Sequence, residues 1–308
     1  MIMPPWFLLA LTGAFLQAVG LALKKHAIRV SGANGLVAAC IFLGAGVVLF
    51  VTRSISFGTP LYDGPIPLQF WGGVVMAVVF GTLGVLFSYR SLDLGDLSAV
   101  SPYSVVATVL YFIPAYLFLH EVPTLSEVSG MIVIIIGALV LEGKVGRKRI
   151  LTKQEHADRA RNRKALGYFF CAMIFYSISP TGEKLAITAT EPMFASYIIH
   201  LGIGISFLIS LLVRPKYRDF ELVRQSFRTK AFVTAIAIAA VAAAYGNLST
   251  HFALSGASVG GVMSLKRTMP IFAFFLGYFV FHERKDAFRK LLGTIIMISG
   301  AILVGLGG

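Results

Sequence analysis

Acidic residues are scarce in this sequence, where 14 Asp and Glu stand against 27 Lys and Arg among 308 residues. Charged residues of both signs make up only 13% of the chain, whereas hydrophobic residues make up 57%. The mean hydropathy of +0.81 lies far above that of soluble domains. The shortage of charge therefore excludes an ordinary soluble protein and predicts an integral membrane protein.

Cysteine is also rare, and its two copies, Cys40 and Cys171, each lie within an apolar run. They cannot form a disulfide framework, and we interpret them as small packing residues. The first apolar run follows MIMPP without a basic segment or a cleavage site, which predicts a retained helix rather than a signal peptide. The sequence also lacks a nucleotide-binding loop, which argues against an ATP-driven pump, and we expect no cofactor.

Long apolar runs recur along the whole chain, each long enough to cross a bilayer core of about 30 Å as a helix. The fold predicted is therefore an all-α integral membrane protein with ten transmembrane helices. The predicted spans lie at about 5–27, 34–53, 69–90, 98–119, 126–143, 166–188, 193–213, 230–251, 257–281 and 288–307.

The positive charges are distributed unevenly between the two sides of this predicted topology. Loops on one side hold 23 of the 27 Lys and Arg, and the other side has only Arg53 and Lys184. The positive-inside rule makes the crowded side cytoplasmic and places both termini outside. We expect the cytoplasmic (inner) membrane of a prokaryote, contact with the lipid bilayer, and no nucleic-acid partner.

An internal repeat relates the two halves of the chain. Residues 91–121 align without a gap with residues 253–283, and both segments end in His-Glu. Upstream, the motif FLGAG (Phe42 to Gly46) matches HLGIG (His200 to Gly204). The predicted domains are a first five-helix repeat at 1–143, a basic cytoplasmic linker at 144–165 and a second five-helix repeat at 166–308.

Five helices per repeat is an odd number, so the second repeat must enter the membrane in the opposite orientation to the first. Inverted repeats of this kind are typical of secondary transporters, which bind substrate near the membrane midplane and work by alternating access. The hypothesis is a secondary transporter of a small polar metabolite.

The chain resembles the EamA-type transporters of the drug/metabolite transporter (DMT) superfamily. The resemblance rests on the two five-helix repeats, on a helix in each that runs into a short acidic turn (His-Glu here), and on the Gly-Ala-Leu and Gly-Ala-Ile segments of spans five and ten. It covers essentially the full length and implies the fold, but members of the superfamily carry many different solutes. Several members keep both termini in the cytoplasm, whereas the charge distribution here favours the outside.

Lys266 and Arg267 are the most unusual residues in the sequence, because they lie about midway through an apolar span. A cation at such depth costs on the order of 3 kcal/mol and normally faces a cavity or a partner charge. One hypothesis is that the pair binds an anionic or zwitterionic substrate, and an adjacent Lys-Arg resembles the phosphate-ester translocators of the same superfamily. The alternatives are a structural ion pair with Glu183 and a position at the membrane interface.

Other polar side chains on the predicted cavity-lining spans are candidates for substrate contact. They are Gln17, Tyr103, Tyr176, Tyr245, Asn247 and Ser264. Glu183 is the acidic candidate for ion coupling or for an ion pair. We predict that Pro102, Pro114, Pro180 and Pro270 kink or break their helices.

Two further motifs are interpreted as structural. His120-Glu121 and His282-Glu283 do not continue to the metal-binding pattern H-E-x-x-H, so we interpret them as residues of turns and helix ends. Two glycine pairs spaced seven residues apart, Gly130/Gly137 and Gly293/Gly300, predict close packing of spans five and ten.

Two alternatives to an anion transporter stay open. One is an exporter of amino acids or hydrophobic metabolites in which Lys266 and Arg267 are structural. The other is a membrane-embedded enzyme, which is disfavoured because His26, His200 and His251 lie scattered near span ends, and we predict that the chain is not an enzyme. The sequence also leaves open a monomer or a homodimer, and the exchange of a counter-substrate or a proton.

Overall fold

The computed structural model describes residues 4–31, 34–94, 109–142, 155–213, 220–272, 275 and 287–307. All regular secondary structure within these ranges is helical. The helices are α1 (Pro5–Ser31), α2 (Asn34–Phe57), α3 (Leu68–Leu94), α4 (Phe112–Leu119), α5 (Leu125–Glu142), α6 (Glu155–Ala189), α7 (Pro192–Val213), α8 (Phe220–Arg228), α9 (Lys230–Gly256), α10 (Val259–Lys266) and α11 (Ala287–Gly305).

Within these ranges, six helical segments are long and apolar enough to cross a membrane. They are Pro5–Ile28, Gly35–Phe57, Leu68–Ser91, Lys164–Ala189, Pro192–Val213 and Lys230–Gly256. Two shorter apolar helices, Leu125–Val140 and Leu291–Gly305, lie where spans five and ten are predicted. Spans four and nine fall partly outside the described residues. The helical membrane class is confirmed, and the number of ten spans stays a prediction.

The chain forms two compact units, each built from both halves of the sequence. Unit A comprises Pro5–Thr82 and Gly182–Ala257, and unit B comprises Met1–Pro4, Leu83–Thr181 and Ser258–Gly308. Helices α3 and α6 each contribute residues to both units.

In unit A, α1 packs against α9 and α2 packs against α7. The second contact uses the repeated motif that contains Gly46 and Gly204. A Cβ at Gly46 would lie 3.1 Å from the backbone nitrogen of Leu201, and one at Gly204 would lie 2.8 Å from that of Leu43. Glycine at both positions lets the two backbones approach closely. The motif FLGAG therefore packs against its own counterpart, HLGIG.

In unit B, α5 packs against α11 through the predicted glycine pairs. A Cβ at Gly130 would lie 2.6 Å from the carbonyl oxygen of Gly300, and one at Gly300 would lie 2.7 Å from that of Gly130. Seven residues further along α5, a Cβ at Gly137 would lie 2.8 Å from the carbonyl oxygen of Gly293. The interpretation of these glycines as packing residues is confirmed.

The turn at His120-Glu121 ends one helix and caps another. His120 closes α4 in the left-handed conformation, with φ of 55°. The carboxylate of Glu121 accepts the backbone N–H of Val259, at the start of α10, at 2.7 Å. A carboxylate at this position satisfies an N–H that the helix leaves unpaired. The turn interpretation is confirmed for this pair, whereas His282 and Glu283 lie outside the described residues.

Candidate functional site

The helix that carries Lys266 and Arg267 is interrupted at these residues. Helix α10 ends at Lys266, and the next two residues form a turn in which the N–H of Thr268 donates to the Leu265 carbonyl at 2.9 Å. Helical structure resumes at Met269. Pro270 has no N–H to donate to the Lys266 carbonyl, four residues earlier, so the helical ladder cannot continue through it. The predicted break near Pro270 is confirmed.

A second interruption lies in the predicted fourth span, at Tyr111. Helix α4 starts at Phe112, and Pro114 is its third residue. Helix α6, in contrast, continues through Pro180. Pro102 lies outside the described residues. Two of the predicted breaks in unit B are therefore present as interruptions of regular helix.

The two interruptions meet through the side chains of Arg267 and Tyr111. Nη2 of Arg267 donates a hydrogen bond to the Tyr111 hydroxyl at 3.0 Å. The guanidinium also lies over the tyrosine ring, with Cζ 5.5 Å from the ring centre. A hydroxyl and an aromatic face stabilise a cation without neutralising its charge.

The charge of Arg267 has no carboxylate partner among the residues that the structure describes, where Tyr111 supplies its polar and aromatic contacts. A guanidinium has five N–H donors in a planar fork, and one bond to a tyrosine leaves most of them available. Such a group within a predicted membrane span is suited to binding an anion.

Tyr176 belongs to the same part of unit B. Its hydroxyl is within electrostatic range of Arg267 and Tyr111, and its side chain is hydrogen-bonded with Ser88. Ser264, three residues before Arg267, is fully buried, and its hydroxyl has no hydrogen-bond partner in the described part of the chain. Lys266 is half-buried at the end of α10. Of the predicted site residues that the structure describes, Lys266, Arg267, Tyr176 and Ser264 lie in unit B.

Two of the predicted site residues in unit A, Gln17 and Asn247, are joined by a hydrogen bond. The side-chain amide of Gln17 in α1 donates to Oδ1 of Asn247 in α9 at 2.8 Å. The amide of Asn247 lies 3.0 Å from Nε2 of His200 in α7. Tyr245 is 39% exposed and bonds to Thr52 at 3.0 Å, on a different side of α9 from Asn247. Tyr103 lies outside the described residues.

Glu183 lies in unit A next to a histidine. Its Oε2 is 3.3 Å from Nε2 of His251, and the two side chains are 17% and 2% exposed. Nδ1 of the same histidine is 2.5 Å from the hydroxyl of Ser196 in α7. The neighbouring Lys184 donates to the carbonyl oxygen of Ala257 at 2.6 Å.

The sequence interpretation of the histidines as scattered was wrong for His200 and His251. Their rings lie 6.2 Å apart between centroids, and both side chains are buried. One signal in the sequence pointed to His200, because it occupies the position of Phe42 in the repeated motif. A titratable ring inside a predicted span is a functional candidate on that ground alone.

Arg53 is a further buried charge whose role the sequence did not predict. The side chain is 3% exposed, and Nε bonds to Glu191 at 2.6 Å. Nη1 donates to the carbonyl oxygens of Thr59 and Leu61 at 2.6 and 2.8 Å. This one side chain therefore ties the segment after α2 to the residue before α7.

Metal binding finds no support in the described residues, where no three His, Cys, Asp or Glu side chains form a candidate ligand group. Cys40 and Cys171 are both free thiols.

Comparison with solved structures supports the helical fold. One crystal structure matches with a TM-score of 0.72 at 12% sequence identity, and the match covers 98% of this chain and 96% of the other. At this identity the likeness shows the fold alone. A comparison with curated proteins gives no match.

The EamA-like transporter family matches the sequence twice, over residues 4–142 and again over residues 163–306. Together the two matches cover most of the chain, and they agree with the apolar helices described above. The chain is an integral membrane protein and belongs to the EamA-like transporter family of the drug/metabolite transporter superfamily.

Proposed function

We propose that the chain is a secondary transporter that moves a small anionic or zwitterionic metabolite by alternating access. In this proposal Arg267 binds the negatively charged group of the substrate, and Lys266 adds a second positive charge. The observation that carries the proposal is the contact of Arg267 with the neutral Tyr111, at the meeting point of two helix interruptions.

The chemistry of these residues favours a carboxylate or a phosphate. A guanidinium binds both groups through two parallel N–H donors, and such charge-assisted bonds are about twice as strong as neutral ones. The buried hydroxyl of Ser264 adds a donor three residues away on the same helix. Tyr176 and Tyr111 supply aromatic surface with polar ends, which suits the uncharged part of a polar metabolite.

Interrupted membrane helices support the same assignment. Transporters often build their substrate site where a helix breaks, because backbone groups freed by the break face the bound solute. Helix α10 ends at Lys266 and is followed by an interruption of this kind.

We also propose the predicted topology of ten spans in two inverted repeats, with both termini outside the cytoplasmic membrane of a prokaryote. The distribution of Lys and Arg, with 23 of 27 on one side, supports this orientation. Protease removal of a C-terminal tag from intact cells tests it, and protection of that tag would reverse the orientation.

The substrate proposal predicts that Arg267→Gln weakens binding of an anionic substrate about 10-fold to 150-fold, because a hydrogen bond to a charged group contributes about 1.5–3 kcal/mol. Thermal unfolding of the purified protein would be measured against phosphate esters, carboxylates, amino acids, amines and sugars. An anion at about 100 times its dissociation constant should stabilise the wild type by about 2.7 kcal/mol. Uptake of that anion into proteoliposomes would be measured in parallel.

Two variants serve as controls. Lys230→Gln removes an exposed cation at the start of α9 and should leave both anion binding and uptake unchanged. Tyr111→Phe keeps the ring but removes the hydroxyl and should weaken binding less than Arg267→Gln does. Equal stabilisation of the wild type and Arg267→Gln by amino acids or amines would contradict the proposal and favour an exporter with a structural Arg267.

A further inference from the structure

A series of hydrogen bonds links residues of α1, α9, α7 and α6 in unit A. It joins Gln17 to Asn247, Asn247 to His200, and His200 to the backbone carbonyl of Ser196. The hydroxyl of the same serine bonds to His251, which bonds to Glu183. Both histidines are at most 3% exposed. The position of each hydrogen in this series follows from the groups that can only accept.

His200 is the neutral member of the series. Its Nδ1 lies 2.7 Å from the backbone carbonyl of Ser196, which can only accept, so Nδ1 carries a hydrogen. Gln17 donates to Oδ1 of Asn247, which turns the Asn247 amide group toward Nε2 of His200 as a donor. Nε2 therefore accepts and carries no hydrogen. The reverse amide orientation would place two hydrogens and a positive charge on His200.

The contacts of Ser196 determine which ring nitrogens of His251 carry hydrogen. Its hydroxyl lies 2.5 Å from the carbonyl oxygen of Pro192 and 2.5 Å from Nδ1 of His251. The hydroxyl has one hydrogen, and the carbonyl can only accept, so both contacts are hydrogen bonds only when Nδ1 of His251 donates. Nε2 then lies 3.3 Å from Oε2 of Glu183, and a hydrogen bond between these two atoms requires one further hydrogen. The His251–Glu183 pair thus holds one proton more than a neutral histidine beside a carboxylate.

We propose that His251 and Glu183 form a buried proton-binding site, with Ser196 as the hydroxyl that adapts to loading. In the loaded state, His251 donates from both nitrogens, to Ser196 and to Glu183, and the Ser196 hydroxyl donates to Pro192. When the site releases one proton to solvent, Nε2 keeps its hydrogen toward Glu183, and the Ser196 hydroxyl turns its own hydrogen from the Pro192 carbonyl to Nδ1 of His251. The site loses one proton and one positive charge, and no other atom has to move.

The described parts of the elements packed around this pair carry few other charged groups. Helix α1 carries no titratable residue between Pro5 and Leu23, and α2 has one charged side chain, Arg53, which is paired with Glu191. The titratable residues of α7 are His200 and Tyr197, and the Tyr197 hydroxyl donates to the Pro60 carbonyl. Residues 68–82 of α3 have none. On α6, Lys184 donates to Ala257, and the charged residues of α8 are Glu221, Arg224 and Arg228.

The role of this proton site in coupling rests on the proposed function, because a coupling site requires that the chain is a transporter. A proton bound in the membrane by a histidine and a carboxylate is a common means of driving secondary transport. The binding of the proton itself does not depend on the identity of the substrate, so the two can be tested separately.

The probe is the proton. Nitrogen-15 resonances of histidine-labelled protein in detergent report which ring nitrogens carry hydrogen, and they would be followed across roughly pH 5 to 9. We expect His200 to stay neutral with its hydrogen on Nδ1 throughout. We expect His251 to carry hydrogen on both ring nitrogens in the loaded state, and on Nε2 alone after the proton is released. The two signals would be assigned by their loss in His200→Gln and His251→Gln.

Glu183→Gln keeps the size of the side chain and removes the negative charge. A buried imidazolium then has no counter-charge, so the doubly protonated form of His251 should be lost. The control His26→Gln removes an exposed histidine of α1 and should leave the transition of His251 unchanged. Wild-type His251 that stays neutral throughout, or a transition that survives in Glu183→Gln, would overturn the proton site.

A transport assay tests the coupling role separately from proton binding. An anion found by the flux assay should accumulate in proteoliposomes in response to a pH gradient in the wild type, and this response should be lost in Glu183→Gln. Detection of the doubly protonated His251 without any anion transport would support the proton site and contradict the transport function. Anion transport that does not depend on the pH gradient would support the transport function and contradict the role of His251 and Glu183 in coupling.

Discussion

Glu191→Ala is expected to lower the free energy of unfolding by about 3 kcal/mol, because it leaves the charge of Arg53 uncompensated in a nearly dry site. Arg53 is 3% exposed, and its bond to Glu191 is 2.6 Å long. We place the expected loss at the low end of the range for buried pairs because Glu191 is 22% exposed and Arg53 keeps its two carbonyl acceptors. Denaturant-induced unfolding of the purified protein in mild detergent measures the loss.

Two further variants separate charge from packing. Glu191→Gln keeps an oxygen acceptor without the charge and should fall between the wild type and Glu191→Ala. The double variant Arg53→Met/Glu191→Leu removes both charges and should be more stable than Glu191→Ala, because no buried charge remains unpaired. A Glu191→Ala protein as stable as the wild type would show that the pair contributes nothing to the fold.

Gly130→Ala is expected to destabilise the protein by about 2 kcal/mol or more, because the added methyl group has no room between α5 and α11. The new carbon would lie 2.6 Å from the Gly300 carbonyl oxygen and 2.7 Å from the backbone nitrogen of Val304. Both are backbone atoms, so relief requires the two helices to separate. Overpacking of this kind costs about 1–3 kcal/mol even where side chains give way.

Gly167→Ala is the matched control in the same unit. A Cβ at Gly167 meets no atom within 4 Å, and the residue is exposed on α6. Alanine there should leave stability unchanged or raise it by up to about 1 kcal/mol through its higher helix propensity. Equal stability of Gly130→Ala and Gly167→Ala would contradict the close packing of α5 on α11. The same unfolding assay serves both variants.

The sequence predicted the helical membrane fold well because the bilayer imposes a simple rule. A membrane helix needs about 20 apolar residues, and that length is visible without knowledge of any contact. The glycine pairs of spans five and ten were predictable for a similar reason, since repeated small residues at one helix face indicate a close neighbour. The division into units A and B was not predictable, because it depends on which helices of the two repeats pack together.

The candidate sites were predicted in part. Arg267 stood out because a cation in an apolar run has a high cost wherever it lies. Its partner Tyr111 could not be predicted, because the sequence has several polar residues on the same span and no means of choosing between them. The pairing of His251 with Glu183 joins residues 68 positions apart on different helices. Such pairs are set by helix rotation and packing, which a single sequence does not contain.

The neutral partner of Arg267 has a consequence for the electrical behaviour of the proposed transport cycle. Arg267 has no carboxylate partner among the described residues, so its guanidinium adds one positive charge to the empty carrier, and a bound monoanion offsets that charge. The empty carrier therefore moves one more positive charge through the membrane potential than the loaded carrier, which is worth about 2.3 kcal/mol per 100 mV for a full crossing. Exchange of one anion for another avoids the empty step. A fixed arginine beside a tyrosine would therefore favour antiport and make net uptake sensitive to voltage.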